Sequence, residues 1–345
     1  MVKNCRITCD WTFKGMRTLI LENKVLKIVS LLDKGSDIVE FLYKPLDIDF
    51  LWHSPIGYKI PNQHIESCSI PEGNFSEYYE GGWQDVLPNA GLNCEYAGAR
   101  FGMHGETPLM RWDCVIEKDD PDEVIAHLWV KCCRYPLKVD KWLKLRVDEE
   151  YLLIRERVTN ESATRMPFSW LQHIVLGEPF VTPGCRIDLA ADEVVVAGPQ
   201  AISKETRLKP GGRFKWPKAG TTTGKSVDLS VIPSKEIKSH DLAFITALKK
   251  GSYKVINPDL KLGFGVDWDE KVFRCVWLWQ PLGTSDHPWY GRAWATGLEP
   301  CSSWPETGLA DYVKRGTALM IDGNSSIETE IKAKVYANIS PQKEP

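Results

Sequence analysis

Apolar and polar residues alternate along much of this chain with the period of two that is typical of β-strands. In residues 143–147, leucine and valine alternate with lysine and arginine, and after the polar residues 148–150 the alternation resumes over residues 152–158. Such a pattern places the apolar side chains of each segment on one face of a strand. It therefore predicts a β-hairpin whose turn lies at residues 148–150.

Strand-like segments recur through the rest of the chain and are separated by clusters of Gly, Pro, Asn and Asp. The further strand-like segments are residues 18–29, 124–131, 242–248, 272–279 and 327–335. The turn-forming clusters are Pro71–Gly73, Pro183–Gly184, Pro210–Gly212 and Asp322–Asn324. Residues 204–225 are the best candidate for a long surface loop. Because no convincing amphipathic helix of ten or more residues is found, we predict an all-β sandwich or barrel-like fold that forms a single large domain over residues 1–345.

Composition narrows the class of protein. With 345 residues, 43% hydrophobic residues and a formal net charge of −3, the chain is long and apolar enough to bury a large core. It has no Lys/Arg run, so neither nucleic acid nor an acidic membrane surface is an expected partner. We expect a cytoplasmic protein, since neither a secretory signal nor a run of about 18 apolar residues is visible.

The ten cysteines show no metal-binding spacing. No Cys-x-x-Cys pair occurs, so a zinc site is not expected. The economical interpretation is reduced thiols that mostly lie in the core, and a disulfide framework is the minority alternative. Cys301 is of most interest because it follows a candidate acid–base residue, Glu299, by two positions.

Aromatic, Gly-rich segments with ionisable residues stand apart from the alternating strands. They are residues 79–91 with the following 101–112, residues 166–173, and residues 277–280 with the later 297–305. Loops of this kind usually carry the function of a β scaffold. Indole rings pack on the CH faces of a sugar while carboxylates, imidazoles and amides hydrogen-bond its hydroxyls, so this mixture favours a small-molecule carbohydrate as the ligand.

Within these segments three residues are candidates for acid–base chemistry. His104 lies beside a glycine, which allows close approach to a ligand, and His173 ends an apolar, aromatic run. Glu299 precedes a proline in an aromatic context, where partial desolvation would raise the carboxyl pKa towards the range of a general base. Most of the 14 Trp are expected in the core. The candidate walls of a cleft are Trp83, Trp279 and Trp304.

Several short motifs follow one another in a fixed order along the chain. They are Pro88-Asn89-Ala90-Gly91, His104-Gly105-Glu106, Arg111-Trp112, Asn160 with Met166-Pro167-Phe168 and His173, and Gly297-Leu298-Glu299-Pro300. This ordered set resembles the aldose 1-epimerase (galactose mutarotase-like) family over roughly residues 15–338. The resemblance implies a single-domain β-supersandwich that binds an aldose in an open cleft and interconverts its α and β anomers without a metal or cofactor.

The resemblance also implies roles for individual residues. Glu299 looks like the family's general base and His173 like its general acid. His104 and Asp241 look like the family's substrate-binding residues, and the other residues expected to contact the substrate are Asn89, Arg111, Trp83 and Trp279. Family members often have an Asn-Arg pair before the first histidine; here Asn89 is followed by alanine, so Arg100 or Arg111 would take the part of that arginine.

The implied chemistry is ring opening and reclosure. The Glu299 carboxylate would take the proton of the C1 hydroxyl while the His173 imidazolium protonates the ring oxygen, which breaks the C1–O5 bond. Rotation about C1–C2 and reclosure with the roles reversed gives the other anomer. Each positioned acid or base contributes about 10²–10⁴-fold to the rate.

Other functions remain open at this point. A hexose-phosphate mutarotase would need a cationic pocket, for which Arg100, Arg111 and Arg292 are available. A non-catalytic carbohydrate-binding or sensing protein would not need an acid paired with a base. A lyase or isomerase acting on a modified sugar is a further alternative, because residues 81–85 are unlike those of the best-known galactose enzymes. We expect a monomer or a homodimer.

Overall fold

The computed structural model describes residues 4–60, 75–199 and 203–339. Regular structure in these ranges is mostly β-strand, which confirms the all-β prediction. The strands in chain order are β1 Arg6–Thr8, β2 Thr12–Phe13, β3 Met16–Glu22, β4 Leu26–Leu31, β5 Asp37–Tyr43, β6 Ile48–Asp49, β7 Trp83–Val86, β8 Cys94–Tyr96, β9 Ala99–Phe101, β10 Asp113–Asp119, β11 Glu123–Lys131, β12 Leu137–Arg146, β13 Tyr151–Asn160, β14 Met166–Phe168, β15 Leu171–Leu176, β16 Arg186–Val196, β17 Arg213–Lys215, β18 Lys218–Gly220, β19 Ser226–Asp228, β20 Ser239–Asn257, β21 Leu262–Asp267, β22 Cys275–Leu282, β23 Thr296–Cys301, β24 Leu319–Ile321 and β25 Ser326–Tyr336.

Nineteen of these strands belong to one hydrogen-bonded sheet, and the others pair as β8 with β9, β14 with β24 and β18 with β19. One α-helix, α1 Leu309–Arg315, occurs in the described ranges and ends at Gly316, which has φ +69°. Three short 3₁₀ turns span Lys44–Leu46, Phe75–Glu77 and Thr107–Leu109. No helix in the described ranges is long and apolar enough to cross a membrane.

The large sheet consists of two antiparallel series of strands. One series runs from β10 through β11, β12, β13 and β25 to β21. The other runs from β3 through β4, β5, β7, β15 and β23 to β22. The long strand β20 joins them, because residues 239–245 pair with β22 and residues 252–257 pair with β21. One cluster of buried apolar side chains, drawn from both series, fills the space between them.

The strands that position the site are buried on both faces. Every residue of β15 and of β23 is buried, whereas β13 alternates between buried and more exposed positions. One face of β15 and β23 contributes to the central core and the other contributes to a cavity. Polar side chains in these strands are therefore held out of bulk water without breaking the strand.

The local predictions agree with this structure at most points. The predicted hairpin is β12–β13, and residues 327–335 lie in β25. Residues 18–29 contain parts of two paired strands, β3 and β4. The prediction that residues 204–225 form one long loop is wrong, because β17 and β18 lie there and fasten the segment to its neighbours. The turn predicted at 71–73 lies outside the described residues.

Candidate active site

A cavity of about 210 Å³ lies against the face of β15, β20, β22 and β23 that points away from the central core. The strand register explains which side chains enter it. Leu171 of β15 lies opposite Cys301 of β23, and the same register places His173 opposite Glu299. On the other side of β23, Trp277 of β22 is the direct partner of Glu299. His173, Glu299 and Trp277 all line the cavity.

His173 and Glu299 form a buried pair. The distance from His173 Nε2 to Glu299 Oε1 is 3.7 Å, and the side chains are only 6% and 2% exposed. Within the described ranges, neither Nδ1 of His173 nor Oε1 of Glu299 has a hydrogen-bond partner. Buried polar atoms nearly always have partners in folded proteins, so these two atoms, which belong to residues that line the cavity, are candidates for binding a ligand.

Burial shifts the pKa values of the pair in opposite directions. It raises the pKa of the Glu299 carboxyl well above its ordinary value, and nearby Cys301 adds to the shift. Burial also lowers the pKa of the His173 imidazole well below its ordinary value, and His104 adds to that shift. Both shifts favour the neutral form of each group. In these neutral forms the Glu299 carboxyl group is protonated and the His173 imidazole carries a single N–H hydrogen.

Gly297 leaves the space that the Glu299 carboxylate occupies. A Cβ atom at Gly297 would lie 2.4 Å from Glu299 Oε1 and 3.3 Å from Cβ of Trp279. Gly297 precedes Glu299 by two residues in β23, so both face the cavity. The glycine of the Gly297-Leu298-Glu299-Pro300 motif thus determines where the carboxylate can lie.

His104 is the third ionisable group of this cluster. Its ring centroid is 5.0 Å from that of His173, and its Nδ1 donates a hydrogen bond to the carbonyl of Ala90 at 2.7 Å. Because a carbonyl can only accept, Nδ1 carries the hydrogen and Nε2 can accept one from a ligand hydroxyl. Burial lowers the pKa of His104 to about 4. His104 has φ +61°, and its amide donates to Gly91, so the backbone is held in a conformation that non-glycine residues rarely adopt.

Aromatic rings form another wall of the cavity. Trp279 lies 5.9 Å from Trp289 and 6.2 Å from Tyr79, measured between ring centroids. Tyr79 in turn contacts His173 edge-on, at 5.2 Å. Flat apolar surfaces beside a His–Glu pair match a sugar ring, which has both CH faces and hydroxyls.

Two ionisable residues of the cavity were not recognised in the sequence. His240 of β20 lines it and accepts a hydrogen bond at Nε2 from the indole Nε1 of Trp279 at 2.9 Å. Glu306 also lines it, is 7% exposed, and has an Oε2 atom without a partner among the described residues. The signal for His240 was the period of two in β20: His240 and Leu242 enter the cavity together. Glu306 lies outside any strand, so no periodicity marks it.

Asp241, expected to bind substrate, points away from the cavity. Its carboxylate accepts hydrogen bonds from Arg207 Nε at 2.7 Å and from Thr206 Oγ1 at 2.8 Å. Ser239 Oγ donates to the same carboxylate at 2.5 Å. Because neighbouring residues of a strand face opposite sides, the side chain that enters the cavity beside it is that of His240.

Asn89 and Trp83 also have partners within the fold and do not line the cavity. Asn89 Nδ2 donates to the carbonyls of Leu92 and Gly102, and its Oδ1 accepts from the amide of Leu309. Asn89 therefore ties together the segments that carry other cavity residues. Trp83 is 2% exposed in the core and donates from Nε1 to Gln172.

The expected arginines and the third tryptophan also lie away from the cavity lining. Arg111 is largely exposed and pairs with Asp33 at 3.4 Å, and Arg100 is exposed and hydrogen-bonds Glu95. Trp304 packs beneath Arg213 instead of facing the cavity. Of the predicted contact residues, the structure brings His104 and Trp279 to the His173–Glu299 pair.

Fewer of the cysteines are buried than expected. Of the nine in the described ranges, all free thiols, four are buried and two are exposed. The buried Cys301 lies opposite Cys275 in the pairing of β22 with β23, two residues after Glu299 in β23. No group of three or more His, Cys, Asp or Glu residues in the described ranges is arranged to hold a metal ion.

Comparison with known proteins identifies the fold. A protein from Klebsiella pneumoniae, named as a candidate aldose 1-epimerase, superposes with a TM-score of 0.75 at 14% identity, covering 96% of this chain and 83% of the other. A similarly named protein from Escherichia coli K12 gives 0.65 at 15% identity, with 94% and 100% covered. A galactose mutarotase-like protein from Clostridium acetobutylicum gives 0.67 at 11% identity, with 97% and 99% covered.

These similarities confirm the expected galactose mutarotase-like supersandwich and the resemblance inferred from the motifs. At such low identity they show the fold alone. The model of a family described as a domain of unknown function, DUF4432, matches residues 13–335. No curated protein matches the chain. The chemistry of this protein must therefore be argued from its own cavity.

Proposed function

This chain belongs to the DUF4432 family, and since that description assigns no activity, we propose from the cavity that it is an aldose 1-epimerase that interconverts the α and β anomers of a free sugar. One observation carries the proposal. Glu299 and His173 face each other across neighbouring strands, 3.7 Å apart, with unpartnered polar atoms in a cavity walled by aromatic rings. Anomer exchange requires a base at the C1 hydroxyl and an acid at the ring oxygen, and a Glu–His pair can supply both.

The pair can move protons without a net change in its charge. In ring opening, the Glu299 carboxylate accepts the C1 hydroxyl proton, the C1–O5 bond breaks, and His173 donates a proton to O5. Carboxylate and imidazolium thereby become carboxylic acid and neutral imidazole, and the substrate becomes the open aldehyde. Rotation about C1–C2 and the reverse proton transfers give the other anomer and regenerate the starting pair.

The pKa shifts favour one of the two forms that the pair takes in this cycle. The charged and neutral forms of the pair differ only in the position of one proton, which can pass through a sugar hydroxyl placed between Glu299 and His173. Burial favours the neutral form, which is the form that accompanies the open aldehyde. His104, with Nε2 as an acceptor, is placed to hold a sugar hydroxyl beside His173.

The composition of the lining favours an unphosphorylated sugar. No Lys or Arg is among the residues known to line the cavity, whereas Glu299 and Glu306 are. A phosphate group would need cationic or multiple N–H donors. Arg292, one of the arginines considered above, donates to the backbone carbonyls of Trp289 and Pro288.

The direct test is Glu299→Gln, which keeps the shape of the side chain and removes the base. We expect anomer exchange, measured by NMR exchange spectroscopy on a panel of free and 6-phosphorylated aldoses, to fall by about 10²–10⁴-fold. Glu306→Gln, in the other cavity carboxyl, is the matched control and should affect mainly KM. Circular dichroism checks that both variants are folded.

Normal exchange rates in Glu299→Gln would contradict the proposal. If the wild-type protein binds a sugar tightly but accelerates exchange of none, the cavity belongs to a binding or sensing protein instead. Loss of the sugar signal, with a new product appearing, would indicate a lyase or another isomerase.

A further inference from the structure

His240, another residue that lines the cavity, has hydrogen bonds that define which ring nitrogen is the acceptor. The indole Nε1 of Trp279 lies 2.9 Å from His240 Nε2, and an indole N–H can only donate. Nε2 must therefore hold a lone pair. The hydrogen of a neutral His240 then lies on Nδ1, which faces Oδ2 of Asp286 at 3.5 Å. The contacts form a chain from indole to imidazole to carboxylate.

This chain connects two parts of the aromatic wall. Trp279 is in β22, whereas Asp286 begins a turn in which its carbonyl accepts the amides of Trp289 and Tyr290 at 3.1 and 2.9 Å. The rings of Trp279 and Trp289 lie 5.9 Å apart and both line the cavity. His240 thus holds one ring directly and is linked to the turn that carries the other.

The burial of His240 and the register of β20 explain why this residue can hydrogen-bond the Trp279 indole. Its side chain is 19% exposed and that of Asp286 is 30% exposed, so water competes only partly for their polar atoms. Leu242 of β20 is the direct partner of Trp279 in β22, which brings His240 beside the indole. The ring centroids of His240 and Trp279 are 6.0 Å apart.

We propose that His240 is a positioning residue that fixes the orientation of the Trp279 indole and couples it through Asp286 to Trp289, so that the two rings form a preformed platform for the apolar face of the sugar. This inference rests on the proposed function for its substrate, but the hydrogen bond that carries it can be measured without any activity. His240 does not exchange a proton with the reacting atoms; its effect is on substrate binding.

The experiment compares His240→Phe with His240→Gln. Phenylalanine keeps a ring but cannot accept the indole hydrogen, whereas the glutamine side chain has both an acceptor and a donor. We expect His240→Phe to shift the indole ¹H–¹⁵N resonance of Trp279, assigned with Trp279→Phe, upfield. We also expect KM for the exchanged sugar to rise by about tenfold, the effect of losing one hydrogen bond, with kcat nearly unchanged. His240→Gln should restore the resonance and KM.

A histidine on the other series of strands gives a matched control. His127 hydrogen-bonds Asp140 at 2.8 Å and stacks on Trp142 at 4.4 Å, and none of the three lines the cavity. His127→Gln should change neither KM nor the Trp279 resonance.

The outcomes separate this inference from the proposed function. An unchanged Trp279 resonance in His240→Phe, or a fall in kcat with constant KM, would overturn the positioning role. If no aldose is exchanged by the wild-type protein, the proposed function fails; the resonance, together with sugar affinity from NMR titration with the same panel, then still decides whether His240 positions Trp279.

Discussion

Two groups of buried polar side chains lie on opposite faces of β15, and they differ in how their charges are compensated. Gln172 points into the fold and His173, the next residue, points into the cavity. The inner group, here called the interior cluster, consists of Lys141, Asp85, Glu156 and Gln172. The outer group is the His173–Glu299 pair.

The interior cluster is connected by hydrogen bonds and a salt bridge. Lys141 Nζ lies 2.6 Å from Asp85 Oδ2, and Gln172 Nε2 donates to both Asp85 and Glu156 at 2.7 and 2.9 Å. Burial by itself raises the pKa of the Asp85 carboxyl, but the Lys141 ammonium and these hydrogen bonds hold it below its ordinary value. The cluster therefore keeps one charged carboxylate, that of Asp85, inside the protein, whereas burial and the neighbouring Asp85 raise the pKa of its second carboxyl, that of Glu156.

The cavity pair has no such compensation. No lysine or arginine of the described ranges lines the cavity, and the pKa of Glu299, unlike that of Asp85, is raised. The comparison teaches that burial of a charged residue does not by itself indicate function. An ionisable side chain that lines a cavity and lacks a counterion does indicate function, because burying such a group is costly unless a ligand interacts with it.

Removing the cation of the interior cluster should have the largest effect on stability. Lys141→Met leaves Asp85 buried without its counterion, so we expect the free energy of unfolding to fall by about 3–5 kcal/mol. Urea denaturation measures it. Lys131→Met, which breaks the exposed Lys131–Glu161 pair, is the control and should cost less than about 1 kcal/mol. If Lys141→Met lowers the free energy of unfolding by less than about 1 kcal/mol, as its control does, then Lys141 does not compensate the buried charge of Asp85.

Filling the space beside Glu299 should affect activity more than folding. In Gly297→Ala the new Cβ would lie 2.4 Å from Glu299 Oε1, so the carboxylate must move. Moving the carboxylate by about 1 Å should lower kcat by about 10²-fold. Gly198→Ala, where a Cβ meets no atom within 4 Å, is the control. An unchanged kcat for anomer exchange in Gly297→Ala would mean that the position of this carboxylate is not critical.

The pH dependence of stability should have opposite signs for Glu299 of the cavity pair and Asp85 of the interior cluster. Because the folded-state pKa of Glu299 is raised, its stabilising contribution is full below its ordinary value of 4.5 and is lost as the pH rises towards the folded value. The stability of Glu299→Gln relative to wild type should therefore increase with pH in that window, by up to about 1.4 kcal/mol per pH unit.

Asp85 should behave in the opposite way. Its folded-state pKa is lowered, so its contribution is present above its ordinary value of 3.8 and is lost as the pH falls towards the folded value. Asp85→Asn should thus approach wild-type stability only in acid. Urea denaturation as a function of pH measures both differences, and slopes of the same sign would contradict the comparison.

Much of the fold was accessible from the sequence because strand alternation is a local property. The hairpin β12–β13 and strand β25 were predicted from alternation alone. Residues 204–225 were misassigned because β17 and β18 are only three residues long, too short for a period of two to be visible.

The site was predicted less completely. His173, Glu299, His104 and Trp279 were singled out from their aromatic and Gly-rich contexts, and the structure brings them together. The motif comparison placed Asp241 in the site as well, but its carboxylate is bound by Arg207 on the other face of β20. His240 was passed over beside it.

The sequence by itself determined that this chain forms an all-β fold and that the residues of each strand divide into two sets on opposite faces. It did not determine which set faces the cavity where both faces are buried, as in β15 and β23. Only tertiary packing decides this, because a period of two separates Gln172 from His173 and Asp241 from His240 without saying which side meets the core. Gln172 and Asp241 make their hydrogen bonds on the side of their strands that faces away from the cavity, whereas His173 and His240 line the cavity.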